Sequence, residues 1–131
     1  MSVLKKIEII VQETGYSYVI DGNGIAIREP AVSFRERNDY IQISGGACPI
    51  SPNLVPDINR AKRYFEKRNA NFKYGQWIMS NGNHFVLVGG IPTSNFNSLS
   101  KDEVKGLIKC AITEFSKEND AVMLDLMMGN I

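Results

Sequence analysis

The stretch from Leu54 to Pro92 constrains the fold of this chain more than any other. Leu54, Ile58, Ala61 and Phe65 recur at helical spacing. They run straight into two alternating segments, Gly75–Ser80 and His84–Val88, with Asn81-Gly82 between them. An Asn-Gly pair between alternating runs is the chemistry of a tight reversal, because both residues accept a positive φ. The stretch therefore predicts a helix feeding a β-hairpin, and no catalytic motif is embedded in it.

The flanks extend this pattern. Val3, Leu4, Ile7, Ile10, Val11 and Thr14 gather near one helical face, and Gly15 supplies a stop. Ile7, Ile9, Ile10 and Val11 are β-branched and also suit a strand, but the spacing favours a helix. Residues 16–47 read as sheet. Tyr16, Tyr18 and Ile20 alternate, Asp21-Gly22-Asn23-Gly24 supplies a reversal, and Ile25 and Ile27 alternate again. Pro30 interrupts, and Val32, Phe34, Ile41 and Ile43 follow with a second reversal at Arg37-Asn38-Asp39. This predicts a meander of about three strands. Gly45-Gly46 and Pro49-Ile50-Ser51-Pro52 are expected to end the sheet. The second helix is expected to start near Asn53, with Pro56 in its first turn where a missing N–H is tolerated. It should run to about Asn69 or Asn71.

Beyond Pro92, Thr93–Leu99 reads as a polar loop. Ser100-Lys101-Asp102-Glu103 is a capping box. The last helix then buries Val104, Leu107, Ile108, Ala111 and Phe115, and Val122 and Leu126 continue the stripe in phase. The polar run Ser116–Asp120 leaves open whether this is one long helix or two. The order helix, three strands, helix, two strands, helix is α+β: a mostly antiparallel sheet with helices packed against it. At 131 residues and 44% hydrophobic content, residues 1–131 are expected to form a single domain.

Chemistry is harder to find. Fifteen basic and fourteen acidic residues leave a net charge of +1, which argues against bulk affinity for nucleic acid. The basic clusters Lys5-Lys6, Arg35/Arg37 and Arg60–Lys73 read as solvated faces. No apolar run reaches membrane-spanning length, and charges interrupt the first apolar run, so a cytoplasmic chain is expected. His84 is the only histidine. Cys48 and Cys110 are distant in sequence and lack metal-ligand spacing. Gly22-Asn23-Gly24 and Gly89-Gly90 lack the spacing of a nucleotide-binding loop. No catalytic residue, cofactor or metal site is predicted.

The features left over are apolar. Trp77 and Met79 share one strand face while Gln76 and Ile78 share the other, so both faces carry apolar groups. Met123 and Met127 are rotated by about 100° from Val122 and Leu126 and cannot pack against the same sheet face. Trp77, Met79, Met123 and Met127 are therefore the expected partner-binding residues, serving a homodimer, an unidentified protein client, or both. The rival expectation is a small-molecule-binding or regulatory site on a concave sheet face, formed by Arg35, Arg37, Asp39 and Tyr40.

Phe65-Glu66-Lys67-Arg68-Asn69, then Phe72-Lys73-Tyr74-Gly75-Gln76-Trp77, then a hairpin closing on Gly90-Ile91-Pro92 and a capped helix from Ser100 form one block. That block resembles the YbjN-like family, a branch of the type III secretion chaperone-like superfamily. The resemblance covers about residues 3–116. It implies a non-enzymatic, often dimeric, protein-binding domain. Secretion chaperones are usually acidic, and this near-neutral chain departs from them. The matched motifs mark a fold, so no functional residue is carried over.

Overall fold

A computed structural model of the chain describes residues 2–49, 57–80 and 84–131. It opens with helix α1 (Val3–Thr14), whose Ser2 side chain accepts a hydrogen bond from the Lys5 N–H at 3.1 Å. Gly15 ends it at φ +86°, where its N–H reaches the carbonyls of Val11 and Gln12. Ile7, Ile10 and Val11 are buried. Their spacing decides for helix over the strand that β-branching alone would favour.

Four strands follow: β1 (Tyr18–Asp21), β2 (Gly24–Ile27), β3 (Ser33–Glu36) and β4 (Tyr40–Pro49). The region read as about three strands is thus divided once more, because residues 28–32 around Pro30 form a connection instead of a strand. Then come α2 (Ile58–Asn71), β5 (Gln76–Ser80), β6 (His84–Pro92), α3 (Thr93–Asn97) and α4 (Lys101–Met127). The strands form one antiparallel sheet in the order β1-β2-β3-β4-β6-β5. The α+β class and the helix–hairpin–helix succession stand.

Several details differ from the sequence reading. Gly45-Gly46 does not end the sheet. β4 continues to Pro49 and pairs with β6 as far as His84, with a register shift between Ser44 and Gly46. Gly46 sits at φ +152°, and a Cβ there would lie 2.1 Å from Asn119 Oδ1 on α4. The glycines bend the strand and bring the helix onto it. Thr93–Leu99 is not simply a loop: α3 forms there because Phe96, alone among polar neighbours, is buried. The expected helix start at Asn53, with Leu54 and Pro56, and the Asn81-Gly82 turn lie outside the described residues. Within them, α2 starts at Ile58, where the Asp57 carboxylate accepts from the Asn59 and Arg60 N–H groups at 3.0 and 3.2 Å. Ile58 is exposed, so the described core stripe of α2 starts at Ala61 and continues at Phe65.

α4 is one continuous helix. Its capping box is formed: Glu103 N–H donates to Ser100 Oγ at 3.2 Å, and Ser100 N–H donates to Glu103 Oε1 at 3.1 Å. These bonds, the backbone one first, hold the Glu103 carboxyl below the usual range. The helices gather on one side of the sheet, α1 over β2 and β3, α4 over β4, α2 beside β5. α4 comes close because Phe115 rests on Gly45 and Gly89. A Cβ on either would lie 2.5 and 2.8 Å from its ring. The opposite side of the sheet carries no described helix.

Candidate interaction surface

The pairing register fixes what the bare face displays. Val19, Ala26, Ser33, Ser44, Val88 and Gln76 lie in one row across all six strands. Ala47, Val86 and Ile78 lie in the next row toward β5. At the β4–β6–β5 end the face dips into an open groove of about 630 Å³. Tyr40, Gln42, Tyr74 and Gln76 line it, the main chain of Gly89 and Gly90 contributes to its floor, and Ile78 and Val88 supply apolar contact. Tyr40, Tyr74 and Ile78 are all substantially exposed.

The rival polar site assembles only in part. The Arg35 guanidinium is held along the sheet by Asn23 at 2.9 Å and Asp21 at 3.3 Å. Arg37 Nε donates to Gln42 Oε1 at 2.8 Å. Arg37, Asp39 and Tyr40 line an open hollow with Asn23, Glu36 and Asn38 at the β3–β4 turn, and Arg35 is not part of it.

The four expected partner-binding residues separate. Trp77 is only 2% exposed and belongs to the core, where it packs against Phe65. It cannot offer its ring to a partner. Met79 is on the same strand face but 37% exposed. Met123 packs partly against the core, and Met127 is 83% exposed near the end of α4, beside exposed Leu124 and Met128.

What sequence reasoning missed is the polar seam that fixes β5. Glu118 is buried on α4 and accepts from Trp77 Nε1 at 2.9 Å and Arg68 Nε at 3.1 Å. The bond to Glu118 makes Arg68 harder to deprotonate than usual. One turn before Arg68 on α2, Tyr64 donates its hydroxyl to Asp125. Burial, and then Asp125, raises the Tyr64 phenol well above its ordinary range. Asn69 brackets the Trp77 main chain. Trp77 N–H donates to Asn69 Oδ1 at 2.6 Å, and Asn69 Nδ2 donates to Trp77 O at 2.9 Å. A signal for Glu118 existed: it falls on the core stripe between Phe115 and Val122. Asn69 gave none beyond its place near the helix end.

Other chemistry is sparse among the described residues. No group of His, Cys, Asp and Glu is placed to hold a metal ion, and no helix is long and apolar enough to cross a membrane. Burial pushes the Cys48 thiol up to about 11, away from the reactive thiolate. Arg60, Arg63 and Lys67 form one exposed stripe of α2 and line a cavity of about 240 Å³ with Tyr64 and Asn130.

No protein-family model matches this chain, and no curated protein matches it. Solved structures do. The crystal structure of YbjN from E. coli, described as a candidate transcription regulator, superposes with a TM-score of 0.69 at 10% sequence identity, covering 93% of each chain. An uncharacterised protein from Methanothermobacter thermautotrophicus superposes with a TM-score of 0.64 at 18% identity, covering 95% of this chain and 96% of that one. At such identities the likeness is one of fold, and that fold is YbjN-like over nearly the whole chain.

Proposed function

We propose that this chain is a non-enzymatic, chaperone-like or adaptor domain that works as a homodimer and holds an extended segment of a protein client. The observation that carries this reading is the bare sheet face with its groove between Tyr40 and Tyr74. An extended chain has repeated apolar side chains and unpaired amides. The groove offers it two aromatic walls, a glycine main chain that allows close approach, and amide side chains in Gln42 and Gln76. Lys73 is the one charged side chain on its described lining.

The test places a photo-crosslinking residue at Ile78 on the bare face, or at Lys109 on the exposed surface of α4 as a control, in the chain's own cells. Client crosslinks at Ile78 that vanish when Tyr40 and Tyr74 are both changed to Ala support the reading. Crosslinks equal at both positions, or absent at Ile78, overturn it. The description of the E. coli neighbour points to a different partner class. For nucleic acid, the Arg60/Arg63/Lys67 stripe is the surface that would serve. Capture of nucleic acid that falls steeply and linearly in log salt would replace the protein client.

A further inference from the structure

The sheet has two edges, β1 and β5, and they differ in what faces outward. At β5, Trp77 and Met79 direct their main-chain N–H and C=O groups away from β6, and Asn69 fills both groups of Trp77. At β1, the bonding pattern is set by the two-residue turn that joins Asp21 to Gly24 and by the bond from Arg28 N to Ser17 O at 3.0 Å. Alternation assigns Val19 and Asp21 to the ladder with β2. The N–H and C=O groups of Tyr18 and Ile20 therefore point outward. Among the described residues nothing meets them. The side chains around them are uncovered as well, Val19 at 39% and Ile20 at 54% exposure. An unpaired edge with exposed β-branched residues is a template for another strand, which proteins normally blunt with charge, proline or a cover. None of these is present between Tyr18 and Ile20.

We infer that β1 is the homodimer contact, pairing antiparallel with β1 of a second copy of this chain about a two-fold axis at Val19. The proposal rests on the homodimer part of the function above and names its surface. The sequence of the edge is self-complementary in this register. Tyr18 lies opposite Ile20 of the second copy, so the outward-facing residues exchange their hydrogen bonds with one another. The Tyr18 ring also meets the Ile20 side chain, an aromatic–β-branched cross-strand pair. Val19 faces its own symmetry mate on the bare side, an apolar pair. Asp21 falls opposite Ser17, so no like charges oppose each other. This is the isologous contact that a two-fold dimer requires. It would make the two bare faces continuous, so one client segment could run across both. A four-residue strand buries little area, which places the contact at the weak, transient end of interfaces.

The test is self-association of the purified chain from about 5 to about 500 µM, the range in which an interface of this size becomes visible. Sedimentation gives the mass, and amide hydrogen exchange gives the site. The expected result is a monomer–dimer equilibrium in which protection of the Tyr18 and Ile20 amides rises on the order of tenfold with concentration, by mass action. Val19→Lys sets two like charges against each other and should abolish the dimer without altering the melting temperature. Ile20→Pro removes an outward N–H that the β1–β2 ladder does not use, and should do the same. If the proline variant fails to fold, Val19→Lys decides alone. A dimer that survives Val19→Lys but is lost when Met123 and Met127 are both changed to Ser overturns the inference and moves the interface to the end of α4. A monomer throughout the range overturns both the inference and the homodimer reading. The client reading is judged separately, by the crosslinks at Ile78.

Discussion

At β5 the side-chain amide of Asn69 occupies the place where a further strand would hydrogen-bond, whereas at β1 the equivalent groups of Tyr18 and Ile20 face water. The two edges also differ in what lies behind them. β5 is anchored through Trp77 to Glu118 on α4 and through Glu118 to Arg68 on α2. β1 is tied to α1 by one phenol, that of Tyr18, which donates to Glu8 at 2.9 Å and accepts from Gln12 at 2.6 Å. One edge is closed at Trp77 and braced by groups drawn from two helices; the other is short, lightly held and open at both Tyr18 and Ile20. The chain guards the Trp77 position of one edge and neither outward position of the other. That asymmetry supports a partner at β1.

The comparison breaks most severely if the β5 brace is removed. Glu118→Ala leaves the Trp77 indole N–H and the Arg68 guanidinium without their acceptor. Loss of one member of a buried ion pair costs most when the survivor is fully buried. Arg68 keeps about a third of its side chain exposed, so the expected loss is roughly 2–4 kcal/mol. Urea denaturation measures it. Glu118→Gln retains an acceptor for the indole and should lose distinctly less. If Glu118→Ala unfolds at the wild-type midpoint, β5 is no better braced than β1 and the contrast fails.

A smaller effect is expected from Asn69→Ala. Two hydrogen bonds to the Trp77 main chain are lost, at a cost of roughly 1–3 kcal/mol. The more telling readout is association. With β5 also open, the chain presents two unpaired edges, and assembly should extend beyond a dimer, as seen by light scattering at high concentration. Asn69→Asp keeps the acceptor for Trp77 N–H but loses the donor to its carbonyl, and should fall between. An Asn69→Ala variant that is destabilised yet associates like the wild type would show that Asn69 braces the strand without guarding it.

How far these features were legible in the sequence follows from the range of the interactions. The helices, the capping box at Ser100/Glu103 and the alternation of the strands are set by residues close in sequence, and periodicity displays them directly. α3 leaves no trace in the periodicity because a single aromatic, Phe96, carries it, and one residue makes no period. Gly45-Gly46 reads as a terminator because glycine looks the same in sequence whether it ends a strand or lets a helix approach one. Only Phe115 and Asn119, some seventy positions further on, decide which. Trp77 reads as a partner residue in the sequence because its strand carries apolar groups on both faces. Its burial depends on Glu118 and Phe65, which arrive from two different helices. The two edges could not be told apart at all, since strand order is a property of the sheet and the bond from Asn69 spans a loop.

The smallest expected effect concerns acid, and it separates the edges by the chemistry of their ties. Hydrogen bonds from Lys5 and then from Tyr18 hold the Glu8 carboxyl below its ordinary value of 4.5. A carboxyl whose folded pKa is depressed contributes stability that is fully present above its unfolded pKa and is lost as pH falls through the folded one. The Tyr18 phenol stays protonated throughout this window, since its own pKa is raised, chiefly by desolvation. It keeps its proton but loses a charged acceptor. Unlike the Glu118 carboxylate that holds the Trp77 indole, Asn69 has no proton to gain. Acidification from about pH 6 to about pH 3 should therefore loosen the Tyr18 tie of β1 before the Asn69 tie of the Trp77 main chain. In hydrogen exchange corrected for the intrinsic rate, Val19 and Ala26 should lose protection by a larger factor than Trp77. Glu8→Gln should remove the pH dependence at β1 while leaving that at β5 unchanged. Equal loss of protection at both edges would mean that acid acts on the molecule as a whole, and that the single phenol tie does not set the stability of β1.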